Sequence, residues 1–421
     1  MNDESRLPLR VYLLAIGTFA IGTDGFVIAG VLGDIAKETD VSVAAAGQLV
    51  TIFAWVYAVS SPITAAAFAR IPRRQMLYGA LVVFTLGNVI AALSPNYVML
   101  AVGRVVSAIG AAAYTPNASI AAASMAPAKV RGRSLAVVLG GLTIANIVGV
   151  PIGTYLGNRT DYHGVFWLVT GLGVVAMLSL LTLPAIPTPP PVSLRTRLGF
   201  LRTPGVATTL AVTLFGFIAG FTFYTYVGEL SVDMLHTSTT TTTLIFLTFG
   251  VAGAIGNVLG GRLTDRWGAY QTAFASFGTF WIFLALAPWA FQSLPGAFAV
   301  MFCWGVLGWV MVTPQQHRLI SLQPPAAPLL LSLNASAMYL GIGSGGLIGG
   351  AVIRYSEVRW VPLAAAAAGV VAFVLFLLTA KRPARASSAP TAPAPRPTPA
   401  ADSAADRQPA TAGAAEENAG S

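Results

Sequence analysis

Twelve long apolar runs divide the chain, at 11–33, 45–69, 75–94, 97–123, 134–157, 164–185, 205–228, 243–263, 269–289, 294–316, 328–350 and 359–380. Each is roughly 20 residues or longer, enough for a helix to cross a bilayer core about 30 Å thick. The runs are apolar on every face, and the polar stretches between them are short. Only Gln292 to Pro295 separates the ninth run from the tenth. This pattern predicts an all-α membrane protein of twelve transmembrane helices.

Composition agrees. The 421 residues are 55% hydrophobic and 9% charged, against about 25% charged in soluble domains. The formal charge of +9 does not point to nucleic acid, because the basic residues sit in short clusters between apolar runs. With the N-terminus inside, nineteen of the 24 Lys and Arg fall on the inner side and four on the outer, leaving Arg104 within a run. That asymmetry places both termini in the cytoplasm. Arg6 and Arg10 precede the first run without a small-residue cleavage site, so that run reads as a retained helix. The lone Cys303 permits no internal disulfide.

The two halves repeat. Ala65–Arg74 and Gly261–Tyr270 lie 196 residues apart, while Thr115-Pro116 and Thr313-Pro314 lie 198 apart, as do Pro127 and Pro325 and also Gly110 and Gly308. The expected organisation is two pseudo-symmetric six-helix bundles, 1–186 and 205–380. A proline-rich, basic cytoplasmic linker, 187–204, joins them, and a disordered cytoplasmic tail, 381–421, follows. In such repeats a substrate site lies near the midplane between halves.

Four polar features stand out against this background. Gly141, Gly149, Gly153 and Gly157 fall roughly on one helical face around Pro151, predicting a bend and a close-packing seam where the halves meet. Asp24 lies within the first run and Arg104 within the fourth. An acid at that depth costs about 2.5 to 3.5 kcal/mol unless it faces a cavity or partner. Desolvation suits such an acid to binding and releasing protons. The competing readings are an Asp24 solvated near the outer end by the loop holding Asp34, and an Arg104 snorkelling to an interface. Candidate cavity residues are Phe26, Tyr57, Asn117, Asn146, Tyr224, Gln315 and Asn334, with Trp55, Tyr226 and Gln316 as further members. One acid, one base and many aromatics suit an amphipathic or neutral organic solute. No phosphate-binding loop, nucleophile elbow or His–Glu zinc motif occurs, and His163, His236, His317 and Cys303 are scattered. No enzyme activity, cofactor or metal is expected.

Three stretches resemble the Major Facilitator Superfamily, of the twelve-span drug:proton antiporter type. GRVVSAIGAAA is similar to its fourth-span motif and puts Arg104 at the arginine linked to proton coupling. ANIVGVPIGTYLG is similar to the antiporter motif, with Gly149, Pro151 and Gly153 at its glycine-proline-glycine positions. GGRLTDRWG resembles the second copy of the gating-loop motif, through Gly261, Asp265, Arg266 and Gly268. The first copy keeps Arg70, Arg73 and Arg74 but has Ala65 and Ala69 where the family has glycine and aspartate, which puts its charge latch in doubt. Val150 also replaces the commoner glycine before the proline.

The resemblance implies proton-coupled efflux of small organic molecules, such as drugs or metabolites, across a bacterial inner membrane by alternating access. The transporter is expected to be a monomer whose partners are substrate, protons and the lipid bilayer, with no nucleic acid. Asp24 is then the candidate proton carrier, with Glu229 the next choice. The alternative is a sugar or metabolite importer of the same fold. A reporter fused after Lys381 should behave as cytoplasmic, and activity of a periplasm-only reporter there would refute the orientation.

Overall fold

Among the described residues, 7–68, 70–157, 159–184, 186 and 194–380, the computed structural model contains helices and no strand. Twelve helices are long and apolar enough to cross a membrane. They are α1 Leu9–Gly30, α2 Val43–Ala67, α3 Arg73–Ala92, α4 Tyr97–Met125, α5 Arg131–Gly157, α6 Tyr162–Leu180, α7 Val206–Leu235, α8 Thr239–Trp267, α9 Ala269–Ala290, α10 Leu294–Leu322, α11 Pro324–Tyr355 and α12 Val358–Thr379. Most ends agree with the apolar runs to within a few residues. The larger differences are extensions of α7, α8, α10 and α11 beyond their runs. Polar or small residues there continue the helix although they fail an apolarity test: Thr239–Thr243 form the first turns of α8, capped by Ser238 Oγ accepting from the Thr241 amide at 3.4 Å.

Helix starts recur at the repeat distance. Ser42 caps α2 by accepting from Ala45 N at 3.1 Å, and Ser238 caps α8 196 residues later. Asn96 accepts from Met99 N at 3.0 Å to start α4, and Ser293 accepts from Gly296 N at 3.3 Å to start α10, 197 residues on. Each cap satisfies an amide the helix itself leaves unbonded. Within the expected linker, Leu194–Gly199 is a short helix carrying Arg195 and Arg197. Residues 187–193, Ala69 and the tail lie outside the described residues.

Small residues set the helix spacing, as expected where lipid removes any hydrophobic drive between helices. Gly87 of α3 lies against the Ser107 backbone of α4, and Gly103 and Gly110 of α4 lie against Ala91, Ala80 and Phe84 of α3. In the other half, Gly256 and Gly260 of α8 lie against the Val306 and Val310 backbone of α10. The halves meet along α2 with α11 and along α5 with α8. At one end this contact is closed by Thr51 Oγ1 donating to Gly343 O at 2.8 Å and by Tyr226, which donates to Gly346 O within the second half and lies against Gly47 of α2. Gly228 packs there on the Ala29 carbonyl.

A β-branched or γ-branched side chain at Gly110 would drive into the α3 backbone. Gly110→Leu should cost about 1–3 kcal/mol or more, read as a lowered thermal unfolding midpoint in detergent, whereas Gly79→Leu, which faces open space, should not.

Candidate functional site

Asp24 sits six residues before the end of α1 and Arg104 two turns into α4, both with no exposed surface. The structure resolves what the sequence left open, because the two side chains pair: Arg104 Nη1 donates to Asp24 Oδ1. A second guanidinium nitrogen, Nη2, reaches the Asp24 backbone oxygen at 3.3 Å. Neither residue is solvated by an outer loop or snorkels to an interface. The guanidinium also lies 4.2 Å from the Phe53 ring centroid and 5.9 Å from that of Phe166. Aromatic faces supply electron density to a cation without adding charge. The pair is therefore enclosed by rings from α2 and α6 and by the backbone of α1.

The carboxylate is asymmetrically used. Oδ1 is taken by Arg104, whereas Oδ2 is buried and makes no direct hydrogen bond. Asn88 of α3 and Ser107 of α4 provide its polar surroundings. A buried acceptor left open costs about 1–3 kcal/mol. Asn88 was missed in the sequence, although a single amide in the apolar stretch LGNVI was a usable signal. Phe53 was also missed, and nothing in its apolar neighbourhood distinguished it.

The glycine face of α5 corrects one expectation. Gly141, Gly149, Gly153 and Gly157 do share a face, but that face lies against Thr18, Thr23 and Val27 of α1 and Val31 just beyond it, within the same half. The contact with the other half uses the neighbouring face of α5: Gly250 of α8 lies on the Asn146 carbonyl, and Asn257 Nδ2 donates to Thr143 Oγ1 at 3.3 Å. The physical reason is depth of approach. A glycine stripe lets α1 come close enough to carry Asp24 into the bundle, while the inter-half contact needs only one backbone-to-glycine approach. Residues Ala145–Gly149 take the wider i→i+5 helical form just before Pro151, a local adjustment that accommodates the missing proline donor.

The other candidates separate into distinct places. Asn117 accepts from Arg73 Nη1, tying the start of α3 to α4. Arg74 Nη2 donates to Leu181 O at 2.9 Å, and Arg70 is exposed. In the second loop copy, Asp265 and Arg266 are exposed and Gly261 faces open space. Gly268 has φ 89°, a conformation that favours glycine. Asn146 bonds its own helix, Nδ2 to Leu142 O at 3.2 Å. Phe26 of α1 meets Phe221 and Tyr224 of α7 across the boundary, with centroids 5.7 and 6.2 Å apart.

Gln315 and Asn334 come together in the second half. Gln315 Nε2 donates to Thr209 O at 2.7 Å and Thr213 Oγ1 donates to Asn334 Oδ1 at 2.9 Å. With Phe217, Met311 and Met338 they line a small pocket. It adjoins an aromatic one bounded by Phe221, Phe249 and Trp304. Glu229, at the closed end, lies beside Gly33. Nearby, outside the spans, burial holds the Asp34 carboxyl above its ordinary value while Lys37 pulls the other way.

Comparison with known proteins accords with this architecture. The Major Facilitator Superfamily profile matches residues 14–328. The chain belongs to the Major Facilitator Superfamily. The inner membrane transport protein YdhP of Escherichia coli is 34% identical over 374 residues, covering 88% of this chain and 96% of that protein. The MFS-type transporter YbcL of Bacillus subtilis is 32% identical over 357 residues, covering 84% and 91%. The crystal structure of a D-xylose-proton symporter superposes with a TM-score of 0.70 at 17% identity, covering 88% of this chain and 97% of that one. That likeness shows the shared fold. This superfamily member is a multi-pass membrane transporter.

Removing one member of a buried ion pair strands the other. Arg104→Ala should cost about 3–5 kcal/mol. The double variant Asp24→Asn with Arg104→Gln should recover much of that loss in the same thermal unfolding assay. A double variant no more stable than Arg104→Ala alone would mean the pair is not coupled in solution.

Proposed function

We propose that this transporter exports small organic molecules across a bacterial inner membrane in exchange for protons, with Asp24 as the proton carrier. One observation carries the reading: a fully buried carboxylate whose one oxygen is held by Arg104 while the other is open. Arginine keeps its charge at any accessible pH, so the titrating member of the pair is the acid. A proton arriving on Oδ2 neutralises Asp24 and frees Arg104 from its ionic partner. Departure of the proton restores the pair. The pair thus has two charge states for the two halves to respond to.

The direction is supported by the α5 stretch ANIVGVPIGTYLG and its close fit on α1. The charge asymmetry puts both termini in the cytoplasm, which makes the closed end at Tyr226 and Gly346 the outer one. A one-for-one exchange driven by a pH difference of one unit supports about a tenfold substrate gradient. The inner-membrane setting is supported by the YdhP likeness.

A second reading, import of a sugar or other metabolite with protons, draws on the D-xylose-proton symporter fold. The sign of proton movement separates the two. In proteoliposomes carrying an imposed pH gradient, a substrate found by screening amphipathic aromatic compounds should drive protons in the direction opposite to its own. Asp24→Asn should lower that proton flux by at least about tenfold, the loss expected when the proton carrier is removed. Protons moving with the substrate would establish import, and an Asp24→Asn variant with unchanged coupling would remove Asp24 as carrier.

A further inference from the structure

Two glycines of the second half are not explained by helix packing. A side-chain carbon added at Gly220 of α7 or Gly308 of α10 would come no closer than 3.8 Å to the atoms around it, and in both cases the nearest residue is Trp304. Gly110, which lies 198 residues before Gly308 in the repeat, sits instead on the α3 backbone. Glycine inside a helix is unfavourable relative to alanine, so what Gly220 and Gly308 contribute is space. Both line the pocket bounded by Phe221, Phe249 and Trp304. Aromatic rings at the boundary between the halves are used differently: Tyr57 of α2 and Tyr339 of α11 stack with centroids 3.6 Å apart.

The open space is met by donors that have no acceptor. Trp304 is 3% exposed, and its ring is held by stacking on Phe249 at 4.6 Å and by an edge contact with Phe223 at 5.0 Å. Its Nε1 is the atom 3.8 Å from the carbon added at Gly308, and it donates to no described residue. Asn334, 6% exposed, lines the adjoining pocket. Its Oδ1 is occupied by the Thr213 hydroxyl, while its Nδ2 donates to no described residue. Gln315 differs, since Nε2 is spent on Thr209 O and Oε1 on Arg318. Buried indole and amide N–H groups ordinarily find acceptors.

Charge narrows the occupant further. Among the described residues no ionisable side chain lines either pocket. An ammonium ion would give up its hydration with no carboxylate to replace it. A carboxylate would find its nearest cation, Arg318, already bonded to Gln315 and Thr379. We propose that this space binds the transported molecule, an uncharged single-ring aromatic compound bearing a carbonyl-type acceptor. The ring fills the gap that Gly220 and Gly308 leave beside Trp304, and the carbonyl oxygen accepts from Trp304 Nε1. The smallness of the pockets sets the single ring, and the Asn334 amide gives the adjoining pocket the same donor character. That the occupant is cargo rests on the export reading; that it binds does not.

The test is equilibrium binding of radiolabelled acetophenone to the full chain in lipid nanodiscs, less the uptake of empty nanodiscs. Ethylbenzene, which lacks the oxygen, should compete about three- to tenfold more weakly, the size of one hydrogen bond. The 1-phenylethylammonium ion, with the same carbon skeleton, should not compete. Trp304→Phe keeps a ring in place and should erase the preference for the ketone over the hydrocarbon. Gly308→Leu should abolish saturable binding without lowering the thermal unfolding midpoint, because its side chain enters open space. Absence of saturable binding overturns the proposal. So do equal competition by ketone and hydrocarbon in the wild type, stronger competition by the cation, or binding that survives Gly308→Leu. Acetophenone that binds as expected but leaves proteoliposomes without moving protons keeps the site and removes the exchange reading. Substrate-driven proton exchange that Gly308→Leu leaves unchanged removes the site alone.

Discussion

A carboxylate and a guanidinium buried at membrane depth constrain everything around them. Each ion alone would cost several kcal/mol to desolvate, and their mutual attraction offsets this only in good geometry. Arg104 therefore has to meet Asp24 from a second helix, with aromatic faces and backbone oxygen completing its surroundings. That requirement sets how close α1 and α4 come. It also explains why the polar groups nearest the pair, Asn88 and Ser107, lie on helices that pack tightly by glycine.

Close packing is the means by which the pair is buried. The α5 glycines let α1 settle into the bundle, and Gly87, Gly103 and Gly110 do the same between α3 and α4. In an apolar solvent, helices gain from backbone approach and side-chain fit rather than from expelling water. A glycine stripe is thus a statement about which helix lies next door. Hydroxyl and amide groups follow the same logic by bonding carbonyls of their own or neighbouring helices, since unpaired groups are costly there.

The boundary between the halves is built differently from the interior of either. Among the described residues it carries no ion pair, and its contacts include the Thr51–Gly343 hydroxyl-to-carbonyl bond, an amide–hydroxyl bond between Asn257 and Thr143, and aromatic rings. Such contacts are modest individually, about 0.5–1.5 kcal/mol for each hydrogen bond. The strong electrostatic contact stays within one half.

The twelve helices were legible in the sequence because the bilayer imposes a length and an apolarity that any spanning segment must meet, and the repeat was legible because its landmarks keep one spacing. Asp24 and Arg104 stood out for a related reason: a charge in an apolar run has few innocent explanations. Their pairing was not legible, since 80 residues separate them and only the packing of α1 on α4 brings them together. The partner of the glycine stripe was hidden for the same reason. Periodicity identifies a face, but the neighbouring helix decides whether that face meets its own half or the other. Asn117, Gln315 and Asn334 looked alike as polar residues in apolar runs, yet tertiary contacts assign the first to Arg73 and the others to a pocket. Tyr339 was lost among the aromatics, because its stacking on Tyr57 crosses a boundary between distant segments of the chain.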